Sequence, residues 1–536
     1  MNKLRLNSLL MILVFFCRNL IDIREILSRL KTFSSFSGLN ININKCSMLF
    51  MGRNVHEGEL IENIKIVDKV KIVGIFFSND KSSSELKENW EGRLDKIKGI
   101  INNWMKRKLS IIGKVQVIKT FVLSQFVYVL QSLSLPEHVL QEVNTIIYRF
   151  IWKKDNLDCK AWERVKRSVM SNDKASGGLA MINLIDFQRS FLISWACRLC
   201  DGLQADWKFF PEDFFASIGG LSIFNSKIEL KNFKGFKDIK SKFWQSVLKA
   251  WLLNNKSDDK ITSQDSINNN KYITVNRETL FVKTAVNNNI LYIKDIMEDE
   301  NIISYETYRD KVNDNQQCLI DYITIRVAIA KIKHKIIFVP DESYNFQFHN
   351  IDCRSINRKK IYNFLLTQER CYCEKVWEKK FNQSLHVSTW ENIFKFINET
   401  KLQEIQWKIL HNIFPTNILL NGIGIKDTEK CEFCGEKDFI EHYFFNCGRI
   451  KDLWIEVSQI IFNSIKKAVN LNEKNVLFGI EQDIKFTEFQ TTDIQLINNI
   501  LLIGKLSIIK SKFDNANVKL VFERELLLRQ TIADSM

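Results

Sequence analysis

The feature that most constrains the fold is a group of three cysteines and one histidine within a single short segment. The four residues, spaced C-x2-C-x7-H-x4-C, are Cys431, Cys434, His442 and Cys447. Structural zinc takes four ligands in a tetrahedron, and thiolates with one imidazole are a common set. The spacing therefore predicts a structural zinc site, and Gly435 allows the chain to reverse after the first pair. A closed site of this kind names no reaction.

Size and charge limit the class of protein. At 536 residues the chain is long enough for two to four domains, and its 45% apolar content is sufficient for packed cores. The net charge of +15 favours a polyanionic partner, nucleic acid first and an acidic membrane second, over a merely soluble basic protein. The 12 cysteines are scattered, which favours a reducing compartment, the nucleus or cytoplasm.

The amino terminus carries a competing signal. Lys3 and Arg5 precede an apolar run over residues 9–17, as in the charged and apolar regions of a signal peptide. Arg18 follows where a small-residue cleavage site is required, and the run is too short for a membrane helix. We therefore expect a buried strand over residues 8–16 and no membrane partner; a secreted or anchored protein is the alternative.

The next segments predict one helix and two strands. Residues 20–36 have apolar side chains at helical spacing, and Gly38 follows as a helix C-cap. An alternating strand is expected over residues 38–50 and a short strand over residues 71–77.

This order resembles the end of the palm of a reverse transcriptase from non-LTR (LINE-type) retrotransposons. In that family a helix precedes S-G-L-x-x-N-x-x-K-S, and a hairpin with Y-L-G follows. The matching positions are Ser37, Gly38, Leu39, Asn42, Lys45 and Gly74. Cys46 and Val73 depart from the family pattern. The resemblance implies that Lys45 occupies the place of the lysine proposed to protonate pyrophosphate.

One departure from the family decides the expected chemistry. Its catalytic strand carries aromatic-Ala-Asp-Asp, and here residues 9–12 are Leu-Leu-Met-Ile. The family's reaction needs two Mg²⁺ ions held by carboxylates, and apolar side chains cannot bind a hard cation. We therefore assign no catalytic residue and no Mg²⁺ ligand, and we expect the chain to be inactive as a polymerase. Without metals, Lys45 is expected to be an exposed strand lysine.

Residues 82–200 predict a series of helices that resembles the thumb of the same family. The matching positions are Arg107, Leu109, Ser110, Gly113, Lys114, Pro136, Phe150, Trp152, Gly177, Gly178 and Leu179. The candidate nucleic-acid-binding residues here are basic: Lys106, Arg107, Lys108 and Lys114, with Lys119 nearby. A solvated helix face explains the same charges. Cys197 and Cys200 are expected in the core.

Residues 201–340 show no catalytic pattern, and the polar stretch 254–270 predicts a loop at a boundary. The resemblance resumes after residue 350, with the zinc-binding domain that follows reverse transcriptase in LINE-type elements. The matching positions are Lys408, Pro415, Thr416, Leu420, Phe444 and Trp454. His411 is expected to cap a helix or lie at the surface. Cys371, Cys373 and His386 lack a fourth ligand at suitable spacing, so no second site is predicted.

Together these features predict a mainly α protein with an α+β remnant of a palm. The expected domains are a palm remnant (1–80), a helical thumb (81–200), a helical connector (201–345) and a C-terminal region (346–536) with its zinc domain around 405–460. The expected function is that of an inactive polymerase remnant that binds RNA or an RNA–DNA duplex. The alternative is a protein-interaction protein stabilised by zinc.

Overall fold

The computed structural model describes residues 13–17, 19–51, 60–79, 87–152, 163–228, 230, 233, 235–255, 260–298, 300–312, 318–340, 346–366, 369–382, 387–480 and 489–534. Its contacts divide the chain into two compact units, Met1–Lys96 and Ile97–Met536. Helices dominate and the sheets are small, which confirms the mainly α class. The four predicted domain boundaries stay a prediction.

The described α-helices are numbered α1 to α21 in chain order. They are α1 (Leu20–Ser37), α2 (Gly92–Met105), α3 (Ile111–Val117), α4 (Ser124–Leu130), α5 (Glu137–Trp152), α6 (Arg167–Ser171), α7 (Leu184–Leu199), α8 (Phe209–Ala216), α9 (Lys242–Asn254), α10 (Lys283–Asn287), α11 (Tyr305–Val312), α12 (Cys318–Ala330), α13 (Arg358–Leu365), α14 (Tyr372–Phe381), α15 (Val387–Lys395), α16 (Thr400–Leu410), α17 (Asn417–Gly422), α18 (Lys451–Ile465), α19 (Glu473–Phe478), α20 (Thr491–Asp514) and α21 (Val518–Asp534).

The described strands are all short. They are β1 (Ser47–Met48), β2 (Leu60–Ile61), β3 (Ile64–Ile66), β4 (Lys69–Ile72), β5 (Ile75–Ser78), β6 (Ile261–Thr262), β7 (Thr274–Val275), β8 (Glu278–Thr279), β9 (Met297–Glu298), β10 (Asn301–Ile302), β11 (Ile336–Ile337), β12 (Gln347–Phe348) and β13 (Ile351–Asp352). In the one three-stranded sheet of the described chain, β3 pairs in parallel with β1 and antiparallel with β2. The others pair as β4–β5, β7–β8, β9–β10 and β12–β13, antiparallel, and β6–β11, parallel.

The first unit bears out the predicted helix but only part of the predicted strands. Asn19 caps α1 through its side chain, and Gly38 ends it with a φ of 72°. The strand expected over residues 38–50 is wrong except at β1, because Ile43–Lys45 forms a 3-10 turn. The segment 71–77 is a hairpin, β4–β5, whose turn residues Val73 and Gly74 both have positive φ, as a tight primed turn requires.

The predicted amino-terminal strand is wrong where the chain is described. Residues 13–17 adopt no regular structure, and Phe16 is 94% exposed. Residues 9–12, for which no carboxylate motif was expected, lie outside the described residues.

The helices predicted over residues 82–200 are confirmed where this part of the chain is described, that is over 87–152 and 163–200; residues 82–86 and 153–162 lie outside the described residues. Ser110 begins α3, and its Oγ accepts a hydrogen bond from the Gly113 backbone N–H at 3.1 Å. α5 follows Pro136 and buries eight of its side chains, and α7 buries Cys197 and Cys200 as expected. This array forms from amphipathic sequences that bury one face, since short helices gain most stability from packing.

The loop predicted over residues 254–270 is confirmed over residues 263–270, which form turns and bends with one isolated bridge at Ser266, but β6 replaces it at Ile261–Thr262 and much of it is buried. Asp265, Asn268 and Asn270 are buried. The Asn268 side chain accepts a hydrogen bond from the Val282 N–H at 2.8 Å, and the Asn270 amide donates to the Ser266 carbonyl at 3.1 Å. These polar side chains replace water for buried backbone groups, which is why a polar sequence forms a core here.

α20 lies among the other C-terminal helices. It is long and apolar enough to cross a bilayer, and 67% of its most apolar 18-residue stretch is buried inside the fold. Within the described residues, two consecutive helical segments, Ile111–Val122 and Ser124–Leu130, are together also long and apolar enough to cross a bilayer, but they are bent by 44° at the break between them. A buried core helix of a soluble protein has this composition too.

Candidate metal centre

The first two cysteines lie in a tight chain reversal. The Cys431 N–H donates to the Glu436 carbonyl at 2.7 Å, and the Gly435 N–H donates to the Cys431 carbonyl at 3.0 Å. Gly435 has a φ of 76°, a conformation that glycine adopts without steric cost. The two hydrogen bonds and this backbone conformation reverse the chain between Cys431 and Glu436, which confirms the reversal expected at Gly435.

The other two residues come from a short helical turn before α18. His442–Asn446 forms that turn, and the Cys447 N–H donates to the His442 carbonyl at 3.1 Å. Trp454 on α18 donates its indole N–H to the Phe444 carbonyl at 2.8 Å, which ties the turn to the helix. Phe444 and Trp454, two positions that match the zinc-domain pattern in the sequence, thus hold the ligand segment in place.

The structure brings all four predicted ligands together. Their ligand atoms all lie within 4.8 Å of one another, and Cys434 Sγ is 3.2 Å from His442 Nε2. The Glu436 carboxylate is 3.4 Å from Nδ1 of the same ring. A carboxylate on the outer nitrogen is the usual device that orients a ligating imidazole, so Nε2 is left to face an ion.

The electrostatics of the cluster fit a divalent cation. Burial raises the pKa of Cys447 to about 11, and the neighbouring thiols of Cys431 and Cys434 add to this effect. Three thiols so close together ionise only when a cation compensates their charge. Cys431, His442 and Cys447 are buried, and Cys434 alone of the four is exposed. Three thiolates and one imidazole are a closed set for structural zinc.

Two basic residues that sequence reasoning missed pack beside the cluster. Lys512, on α20, places its ammonium 3.3 Å from the centroid of the Tyr443 ring and 3.6 Å from an Asp438 oxygen. Arg449 lies 3.8 Å from the Phe433 ring centroid and donates to the Ala516 carbonyl at 2.8 Å. No local signal reveals Lys512, because it follows the ligands by a long stretch of chain.

The predicted nucleic-acid-binding residues separate into exposed and buried groups. Lys45, Lys106, Arg107 and Lys108 are exposed. Lys45 lies in a 3-10 turn and not in a strand as expected. The structure corrects Lys114, which is 9% exposed: its ammonium donates to the Ile151 carbonyl at 3.2 Å, so it supports the α3–α5 contact and does not face solvent.

Lys119 is also partly buried, and burial lowers its pKa from the usual value. Its ammonium donates to the Leu179 carbonyl at 3.3 Å. Arg107 stands over the Trp104 ring at 4.5 Å and stays at the surface. Of the predicted nucleic-acid-binding residues on this helical array, the exposed ones are therefore Lys106, Arg107 and Lys108.

His411 caps the carboxyl end of α16, as predicted, but the expectation of a surface position is wrong. The ring is 7% exposed, and burial lowers its pKa to about 4. Its Nε2 is 2.8 Å from the Gly177 carbonyl, which also accepts the Trp407 indole N–H at 3.0 Å. The turn at Gly177–Gly178 is thus bound to α16, the helix that precedes the zinc cluster.

A protein-family model described as zinc-binding in reverse transcriptase matches residues 372–454. The matched segment contains all four ligands and ends at Trp454. It therefore supports a C-terminal domain related to reverse transcriptase. Together with the assembled cysteine and histidine cluster, it supports a structural Zn²⁺.

Proposed function

We propose that this chain corresponds to the C-terminal part of a LINE-type reverse transcriptase. It binds RNA or an RNA–DNA duplex through its thumb-like helices and zinc domain, and it does not polymerise. The observation that carries the proposal is the family match at 372–454 around an assembled ligand cluster. An intracellular location, in the nucleus or the cytoplasm, accompanies it because the ligand thiols must stay reduced.

Contacts between the thumb-like helices and the C-terminal region support a joint role. The Asn172 amide donates to the Glu369 carbonyl at 2.7 Å and accepts from the Glu369 N–H at 3.2 Å. Lys166 pairs with the Glu369 carboxylate at 2.5 Å. With the bonds to the Gly177 carbonyl, these contacts hold residues 166–177 against the segment that leads into the zinc domain.

The surface chemistry supports a nucleic-acid partner. Lys106, Arg107 and Lys108 form an exposed basic segment between α2 and α3. Phosphate contacts from such residues release condensed counterions, so they favour binding most at low salt. At the zinc cluster, the Phe433 ring is 45% exposed with Arg449 against it. An exposed aromatic ring beside a guanidinium suits the stacking of unpaired bases.

Fluorescence anisotropy with single-stranded RNA tests this proposal. The expected result for the wild-type chain is an affinity that falls steeply with salt. Replacing Lys106, Arg107 and Lys108 by Ala is expected to reduce the magnitude of the slope of log K against log salt by about 2, at roughly 0.7 for each phosphate that the variant no longer neutralises.

A matched control removes the same charge elsewhere. Lys331, Lys333 and Lys335 are also exposed, and their triple Ala variant is expected to keep the wild-type slope. An equal loss in both triple variants would place the binding outside segment 106–108. Absence of RNA binding by the wild type at low salt would reject the proposal in favour of the zinc-stabilised interaction protein.

Primer extension tests the proposed lack of polymerase activity. With an RNA template, a DNA primer and either Mg²⁺ or Mn²⁺, we expect no incorporation, because residues 9–12 supply no carboxylate where the family has its Asp pair. Incorporation above a no-protein control would refute this part of the proposal.

A further inference from the structure

A second group of soft ligand atoms lies away from the cluster at 431–447. Cys371 precedes α14 as its N-cap, Cys373 is in its first turn, and His411 follows α16. All three side chains are buried, and their ligand atoms lie within 4.8 Å of one another. Buried cysteines are often simple core residues, so the orientation of the histidine decides whether the group is built to bind.

The hydrogen bond on one side of the His411 ring fixes the role of the other. Nε2 is 2.8 Å from the Gly177 carbonyl oxygen, which can only accept, so Nε2 carries the hydrogen. Nδ1 of the neutral ring is then an acceptor, and its lone pair faces the Cys373 thiol, whose Sγ is 3.7 Å away and donates to it. A ligating imidazole usually has this arrangement, with its outer N–H on a carbonyl or carboxylate.

The packing around the ring holds this orientation. The Trp390 and Trp407 ring centroids are 4.9 Å and 4.3 Å from that of His411. The Trp407 indole donates to the same Gly177 carbonyl, so two side chains converge on one acceptor. The lone pair of Nδ1 is therefore presented to the thiols by a rigid, largely apolar wall.

The charge of the group matches a divalent ion. Two thiolates and one neutral imidazole cancel the charge of a divalent cation, which limits the cost of burying the site. A monovalent ion would leave a net negative charge in the core. Thiolate and imidazole ligands select zinc among the abundant divalent ions. The Ser176 carbonyl oxygen accepts a hydrogen bond from the Cys371 thiol at 3.5 Å, so an oxygen atom able to ligate a metal lies beside the group.

We propose that Cys371, Cys373 and His411 form a second Zn²⁺ site, distinct from the site at 431–447. Binding displaces two thiol protons to solvent, and the Ser176 carbonyl completes the coordination. Cys371 precedes the matched segment 372–454, and the Ser176–Gly177 turn comes from the thumb-like helices. The ion therefore fastens that turn to the zinc domain. The inference does not depend on RNA binding.

Metal stoichiometry of the full chain tests the second site. After purification under reducing conditions with added Zn²⁺ and removal of loose metal, elemental analysis is expected to give two zinc per chain. Cys373→Ser and Cys431→Ser are each expected to give one, and the double variant none. Cys197→Ser, which changes a buried thiol elsewhere, is the control and keeps two.

Cobalt substitution separates loss of a ligand from loss of the fold. Co²⁺ titration of Cys431→Ser is expected to give a thiolate-to-metal absorption band from the second site, and further replacement of Cys371 by Ser weakens it. Thermal melts identify any variant that fails to fold. If a variant does not fold, the number of zinc ions bound by the wild-type chain alone decides whether the second site exists. One zinc per wild-type chain, or two in Cys373→Ser, overturns the proposal.

Discussion

Gly178→Ala is the substitution for which the structure predicts the sharpest local effect. A β-carbon at this position would lie 2.1 Å from the Asn172 carbonyl oxygen and 2.5 Å from its carbon. Both are backbone atoms, so no side-chain rotation relieves the overlap. The Asn172 carbonyl also accepts the Ala180 N–H at 2.8 Å, and the Asn172 side chain holds both backbone groups of Glu369.

The size of the effect follows from this packing. Overpacking of this kind costs about 2 kcal/mol. Displacing Asn172 weakens three hydrogen bonds, one from Ala180 and two with Glu369, and the loss of two of these three adds about 1 kcal/mol each. The expected destabilisation is thus on the order of 4 kcal/mol, which lowers the melting temperature of a unit this large by about 5 °C.

Differential scanning fluorimetry measures the shift, and hydrogen-exchange mass spectrometry localises it. We expect faster exchange in peptides from 166–181 and 369–374, because these segments are joined through Asn172. Gly99→Ala is the control: it lies within α2, where a β-carbon meets nothing within 4 Å. It is expected to gain about 0.5–1 kcal/mol of stability. Wild-type melting and exchange in Gly178→Ala would refute this reasoning.

Three further predictions concern other buried groups. Cys447→Ser is expected to lose one zinc and to melt at a lower temperature, whereas Cys46→Ser keeps the wild-type metal content; equal zinc in both would count against the cluster. Burial lowers the pKa of Lys505 from 10.5 to about 7, so the folded chain binds fewer protons than the unfolded chain between these values. The free energy of unfolding therefore rises with pH across that window, by up to about 1.4 kcal/mol per pH unit. Lys505→Met is expected to flatten this rise, which the midpoints of denaturant unfolding at pH 7, 8 and 9 measure. Trp407→Phe keeps a ring but removes the donor to Gly177, so urea unfolding is expected to show a loss of about 1–3 kcal/mol, and no loss would argue against that bond.

The zinc cluster was predictable because its ligands are close together in the sequence. Cysteine and histidine have few other reasons to recur at this spacing, and Gly435 marks the reversal between them. The helices at 92–152 were equally accessible, since their apolar residues repeat at helical intervals and Ser110 caps α3.

The positions that sequence reasoning missed depend on distant partners. Lys114 belongs to a basic cluster in the sequence, but the Ile151 carbonyl near the end of α5 binds its ammonium. His411 meets Gly177, which comes 234 residues earlier in the chain. Asn268 and Asn270 have the composition of a loop, and only the fold reveals that they bind buried backbone groups. Local pattern carries no information about such pairings.

The packing of the zinc cluster on α20 has a consequence for how the gene can be shortened. Trp454 packs against Gly504, where a β-carbon would lie 3.1 Å from the indole, and Arg449 reaches Ser511 at 3.1 Å. A premature stop codon between Trp454 and Gly504 would leave all four ligands encoded yet remove this cover. The fold around the zinc cluster therefore depends on the last helices as well as on the four ligands themselves.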